Sequence, residues 1–353
     1  MKQDSSTLKV LKLDFEKFSE EALIEIYTNV ELPTWAREVI DFLKYFIDKK
    51  EVSCFTSGTT GAPKRSTFTK DQLTGGAQNT LNYFGLSKGD SALLPLSCSH
   101  IAGKMMLIRA LVGELKLTVI EPSSNLDAVI NDLFDFSVVV PMQIQSCLLL
   151  NDKEALERLG KILIGGSEIS DTMVLSLIEL EIQAWSSFGM TETMSHFALR
   201  QLSPREQKNY TCLKGFEISN HFKGQLKLEN KELGILELQT TDVVKVFPDG
   251  SFNWLGRADN VVNSGGVKLF PELIEQKIKR LFEDLPEFII VGVPDSKLGQ
   301  KLVLFHEGNS FLSAEEQMKL QSQLLKYECP KDFMFIQEFE KTRSGKIVRK
   351  NYT

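Results

Sequence analysis

Between residues 51 and 189 short apolar runs alternate with stretches of helical periodicity, and this alternation restricts the fold more than any other feature of the chain. EVSCF (51–55), ALLPL (92–96), LTVIE (117–121) and FSVVVP (136–141) are too short for helices and read as strands. So do the apolar starts of LGKILIGGS (159–167) and IQAWSSFGMTE (182–192), each of which runs into a glycine-bearing loop. Around them Trp35, Val39, Phe42 and Phe46, and then Leu73, Ala77, Leu81 and Phe84, recur at helical spacing, with Thr34 and Thr69 as expected N-caps. Residues 102–112 and 126–134 read as two further helices. Near-continuous apolar strands separated by helices specify a parallel sheet covered on both faces, with ligand loops at the carboxyl ends of its strands.

One such loop is FTSGTTGAPK (55–64), expected to join a strand to the helix behind Thr69. Gly58 and Gly61 let backbone N–H groups approach an anion, Ser57, Thr59 and Thr60 add hydroxyl donors, and Lys64 adds a point charge. It reads as a phosphate cradle, although a Gly/Thr turn has the same composition. It is not the NTPase P-loop, because Ala62 and Pro63 separate Gly61 from Lys64 and Arg65 follows.

Beyond residue 216 the texture changes to short alternating segments, GQLKLEN, GILELQT and VVKVF, which read as antiparallel strands. After Arg257 come a helix over 273–282, strands FIIVGV and KLVLFH, a helix opened by the Ser313/Glu316 capping box, and strand DFMFIQ. The expected class is therefore α/β: a large N-terminal domain (1–256) with mostly parallel sheets flanked by helices plus an antiparallel β subdomain, and a small C-terminal α+β domain (257–353).

Composition narrows the function. A net charge of −6 over 353 residues argues against nucleic-acid binding and leaves any anionic substrate to a local basic site. The five cysteines are far apart and read as reduced thiols. An N-terminus broken by acids, and no apolar run near 18 residues, predict neither export nor membrane insertion, hence a cytoplasmic protein.

With FTSGTTGAPK, SFGMTET, GRADNVVNSGGVK and KTRSGKI in this order, the chain resembles the adenylate-forming superfamily of acyl-CoA synthetases. The resemblance implies a large domain, a small mobile C-terminal domain and two half-reactions. A carboxylate and ATP give an acyl-adenylate and pyrophosphate; the thiol of coenzyme A then displaces AMP. It also implies roles for residues. The loop from Thr56 to Lys64 would hold the β- and γ-phosphates, Glu192 would ligate Mg2+, Thr191 would meet the α-phosphate, and Phe188, beside Gly189, would stack on adenine. Gly166, Ser167 and Glu168 would line the adenine and acyl pockets, Asp242 would bind the ribose hydroxyls, and Arg257 would be its basic partner. Asp259 would be the hinge, Gly265 and Gly266 would approach CoA, and Lys346 would be the catalytic lysine of adenylation. Taken alone, Glu192 is a loop acid, Asp259 a turn residue and Lys346 a surface lysine. The sequence departs from the family pattern at Glu340, where a proline is usual before the Lys-Thr pair.

SFGMTETMSHFALR, together with the short stretch before the glycine loop, looks most like the o-succinylbenzoate–CoA ligases of menaquinone biosynthesis. Such a substrate carries a second carboxylate that needs a cation or dense hydrogen bonding. His100, Lys104, His196 and Arg200 are the candidates, with Lys104 equally readable as the solvent face of a helix and His196 as a packed histidine. Two other readings stay open: adenylation of another aryl, fatty or amino acid, and a non-catalytic AMP-binding relative.

Overall fold

The computed structural model describes residues 8–19, 21, 23, 32–55, 65–129, 131–282, 285–308, 312–341 and 347–352. These fall into two compact units. One holds the chain up to residue 55, Arg65–Glu217 and Glu229–Leu236; the other holds Ile218–Leu228 and the chain from Glu237 onward.

The first unit is built on an eight-stranded sheet. Its strands are β1 (Val10–Asp14), β4 (Ser91–Leu94), β5 (Lys116–Ile120), β6 (Phe136–Val139), β7 (Lys161–Ile164), β8 (Ala184–Gly189), β9 (His196–Ser203) and β10 (Thr211–Cys212), in the order β1-β5-β4-β6-β7-β8-β9-β10. The five central strands are parallel, as their unbroken apolar runs require; β1 pairs antiparallel with β5, β9 with β8, and β10 with β9. On one face Val139, Ile162 and Ile164 pack with residues of α4 (Pro141–Leu149), α5 (Lys153–Arg158) and α6 (Asp171–Glu179). On the other, Phe84 at the end of α2 (Lys70–Phe84) meets the rings of Phe136 and Trp185, and α2 packs against α3 (Ile101–Gly113).

Several local expectations need correction. Thr69 caps α2 through a reciprocal capping box with Gln72, but Thr34 is the first residue inside α1 (Thr34–Asp48) and the cap position is Pro33. Residues 126–134 are not a helix; only Asp127–Val129 makes a 3-10 turn. Leu126 and Phe134 are both drawn into the core, and the Phe134 amide donates to the carbonyl of Arg158 instead of to a carbonyl one helical turn back. The glycine stretch does not lead from the main sheet into a helix. The strands on either side of it, β2 (Glu51–Phe55) and β3 (Arg65–Thr69), pair antiparallel in a separate two-stranded sheet, with Phe55 opposite Arg65.

The four-stranded sheet of β11 (Glu217–Asn220), β12 (Gln225–Asn230), β13 (Ile235–Val246) and β14 (Phe252–Arg257) follows. GILELQT and VVKVF are one strand, β13, bulged against β14 between Val243 and Val244. The remaining sheet contains β15 (Val262–Ser264), β16 (Val267–Leu269), β17 (Phe288–Asp295), β18 (Gly299–Glu307) and β19 (Asp332–Ile336), with α7 (Pro271–Leu281) and α8 (Ala314–Gln323). The Ser313/Glu316 capping box opens α8 as expected. Ile274 and Ile278 of α7 join Ile290 and Leu304 in its core. Because α7 also packs on β14, a division at 256/257 falls inside the second compact unit.

Candidate active site

In the first unit the carboxyl ends of β7 and β8 carry the expected ligand loops. Gly166 turns the chain out of β7 with φ +93°, a conformation costly for other residues, and leaves Ser167 and Glu168 at the surface. From β8, Phe188 projects between Phe197 and Tyr210, with ring centroids 5.6 and 5.3 Å away. Tyr210 bonds Ser186 at 2.9 Å and lies 5.4 Å under the Arg200 guanidinium. Phe188 is half-buried, so part of its ring is held and part is open to a ligand.

The next turn is fixed by residues that sequence reasoning passed over. At Gly189 a Cβ would lie 2.3 Å from the Ser195 carbonyl oxygen and 2.4 Å from His196 Cα, so only glycine lets β8 and β9 close here. Buried Thr193 accepts from the Met190 amide at 3.0 Å, and its hydroxyl donates to the Ser195 carbonyl at 2.6 Å. With Thr193 holding the inside of the Thr191–Thr193 turn, Thr191 is half-buried and the Glu192 carboxylate is exposed. Among the described residues no group of three or more His, Cys, Asp or Glu side chains gathers to hold a metal. A lone exposed carboxylate fits Mg2+ that is bound mainly through substrate phosphates and water.

Behind this turn lies a buried polar group. His196 Nε2 is 3.3 Å from Thr80 Oγ1 and its Nδ1 is 3.2 Å from Ser195 Oγ. Arg109, 1% exposed on α3, donates from Nη2 to the same Ser195 hydroxyl at 2.7 Å, while its Nε is buried without a hydrogen-bond partner. Among the described residues no carboxylate pairs with it. Burial pulls its guanidinium down to about 9. Burial, helped by the Arg109 charge, also holds His196 well below the usual imidazole range. His196 therefore acts as a neutral bridge between Thr80 and Ser195, and could contact an acid only by giving up one of these bonds.

That histidine has a measurable consequence. Its folded-state pKa lies below the unfolded value of 6.5, so the unfolded chain takes up the proton first; stability is complete above that pH and falls below it. His196→Gln is expected to reduce the loss of melting temperature between about pH 6.5 and about pH 5, measured by thermal denaturation across that range. An unchanged slope would remove His196 as its source.

The other predicted acid-binding residues lie at the start of α3. His100 is the N-cap residue and exposed, and the Lys104 ammonium sits 5.7 Å from the centroid of the Phe42 ring of α1. None of the five cysteines offers an activated thiol: burial raises each, Cys98 and Cys212 to about 12.

In the second unit Asp242 and Arg257 face each other across β13 and β14. Asp242 accepts from Trp254 Nε1 at 3.0 Å, and Arg257 donates to the Thr241 hydroxyl at 2.5 Å, so the pair is adjacent through the strand register. Asp259 is exposed in the Ala258–Asn260 turn. Gly265 and Gly266 form the exposed tip of the β15–β16 hairpin, both at positive φ. Thr56, Ser57, Gly58, Thr59, Thr60, Gly61, Lys64 and Lys346 lie outside the described residues.

Residues 47–220 match the AMP-binding enzyme family and residues 281–346 match the AMP-binding enzyme C-terminal domain. An acyl-CoA synthetase (AMP-forming)/AMP-acid ligase II-like protein from Dyadobacter fermentans is 32% identical, with 97% of this chain and 98% of that one covered and a TM-score of 0.64. The chain belongs to the AMP-binding enzyme family. Among members of that family, the 2-succinylbenzoate–CoA ligase of Staphylococcus aureus is 27% identical over 84% of this chain. This AMP-binding chain spans 65% of that relative's length. The o-succinylbenzoate CoA synthetase of Bacillus subtilis, solved with the acyl-adenylate OSB-AMP and also with ATP and magnesium, superposes with TM-scores of 0.76 and 0.74 at 21% identity, covering 84% of this chain and 68% of that one. The α/β class with its C-terminal α+β region is thus the fold of the AMP-binding enzymes.

Proposed function

We propose that the chain is an AMP-forming acid–CoA ligase whose acid is o-succinylbenzoate or a closely similar dicarboxylate. The acid's carboxylate oxygen attacks the α-phosphorus of ATP, releasing pyrophosphate; the thiolate of CoA then attacks the acyl carbon, releasing AMP. Both steps bring anions together, so the protein's part is to hold reactants in line and neutralise charge. In this reading Glu192 holds Mg2+, Thr191 contacts the α-phosphate, and Phe188 meets adenine. The glycine loop with Lys64 retains the pyrophosphate, Asp242 and Arg257 take the ribose, Lys346 supplies charge during adenylation, and residues 257–353 turn about Asp259 between steps. Gly265 and Gly266 then meet CoA.

The observation that carries the choice of acid is Arg109. A buried cation with an unpartnered N–H and, among the described residues, no carboxylate beside it is costly unless a ligand supplies the anion. Ser195 aims its guanidinium, and the names of the S. aureus and B. subtilis relatives supply an acid with a carboxylate to spare. Incubation with ATP, Mg2+, CoA and a panel of mono- and dicarboxylates, read as pyrophosphate release and CoA thioester, tests the proposal. Turnover highest with o-succinylbenzoate is expected; turnover confined to fatty or amino acids would sink that substrate, and none with any acid would favour a binding-only relative.

A further inference from the structure

Resting on the ligase reading, we infer that Glu275 and Arg349 are positioning residues for adenylation, holding the base of the segment that carries Lys346. The described residues on either side of 342–346 are tied together and to the core. Lys341 and Ile347 form a β-bridge, the Val348 amide donates to the Glu340 carbonyl at 2.9 Å, and the Glu340 amide donates to the Tyr352 hydroxyl at 3.1 Å. Lys341 also pairs with Glu287, and the Tyr352 ring packs against Phe305 and Phe339.

These contacts close the base on itself and on β18, and Arg349 ties it to α7. Its guanidinium donates to both carboxylate oxygens of Glu275, at 2.7 and 2.5 Å, and to the Ile290 carbonyl at 2.9 Å. Glu275 accepts in turn from the Ile290 amide at 2.6 Å. The Glu275 side chain is 8% exposed and that of Arg349 21%, so the fork is mostly out of water and its planar geometry fixes direction as well as distance. Burial raises the Glu275 carboxyl, and the guanidinium opposes that rise. Arg349 follows Lys346 by three residues in the sequence, so any tilt of the fork shifts Ile347–Arg349, the described end of the base that leads to the lysine. Misplacing a catalytic charge by about 1 Å costs on the order of 100-fold in rate.

The test separates the half-reactions. Glu275→Gln and Arg349→Met are each expected to lower ATP–pyrophosphate exchange at saturating ATP and o-succinylbenzoate about 100-fold. KM for ATP and CoA transfer from synthetic acyl-adenylate should change less than about threefold, and Arg349→Lys should recover part of the exchange rate. Because breaking one half of a buried pair threatens folding, the double variant Glu275→Leu/Arg349→Met removes both charges and leaves neither unpaired; it too should lose exchange. Equal losses in both half-reactions, or unchanged exchange in the folded double variant, would overturn the positioning role while leaving the ligase reading intact. A wild-type chain that exchanges no pyrophosphate with any acid would overturn both.

Discussion

Lys346→Ala is expected to abolish acyl-adenylate formation while leaving CoA transfer from a supplied adenylate largely intact. In the proposed reaction the lysine's charge matters when two anions converge on the α-phosphorus. Removing one preorganised donor or charge at such a point costs roughly 100- to 1,000-fold. The second step transfers an acyl group from an adenylate already formed, and its leaving AMP gains its charge without that contact. Pyrophosphate exchange should therefore fall into the background, whereas thioester formation from synthetic adenylate continues. Equal loss of both would mean that the lysine serves binding, or the fold, rather than the phosphoryl step.

Arg109→Met is expected to raise KM for a dicarboxylate about 100-fold, the loss typical of truncating one partner of a buried charge pair, with little change for a matched monocarboxylate. It should also raise the melting temperature of the free protein. The buried guanidinium has Ser195 as its partner and, among the described residues, no acid beside it, so removing it relieves a desolvation cost. A residue kept only for packing would not improve stability while degrading affinity for one substrate class. Arg109→Lys should be intermediate, keeping charge but losing the planar fork. The pH dependence has a fixed sign: the free guanidinium is held down to about 9, so affinity for the dicarboxylate should be full below that pH and fall above it. Flat affinity across that range, or equal effects on mono- and dicarboxylates, would place Arg109 outside the acid site.

Much of the first unit was legible because its chemistry is local. The strand runs ending in Gly166 and Gly189, and the Thr191–Glu192 step after Gly189, follow from apolar runs meeting residues with special backbone demands. The contact of buried Arg109 with Ser195 was not legible. In MMLIRALV the residue reads as one position of a helix, although a lone arginine inside so apolar a run is itself a signal of burial. Nor was Thr193, whose hydroxyl adds to the backbone bonds of the turn, because such a role depends on the closure of β8 on β9. Strand β3 escaped because RSTFT has a single apolar residue, Phe68, and directly precedes a strong helix signal. The grouping of β13 and β14 with the C-terminal residues depends on α7 packing on β14, a contact that pattern reading along the chain does not contain.

The β2–β3 hairpin bears on how freely the glycine stretch can vary in length. Its register ties Phe55 to Arg65 and continues to Glu51 opposite Thr69, all in a ribbon separate from the eight-stranded sheet. Residues inserted between 56 and 64 would be taken up beyond the closing pair, whereas a residue inserted within β3 would swing Phe68 from the interior to the surface and disturb the Thr69 cap of α2. The ribbon thus acts as a socket: a change of length between Phe55 and Arg65 leaves untouched the register of β8, which carries Phe188, and the turn that carries Glu192.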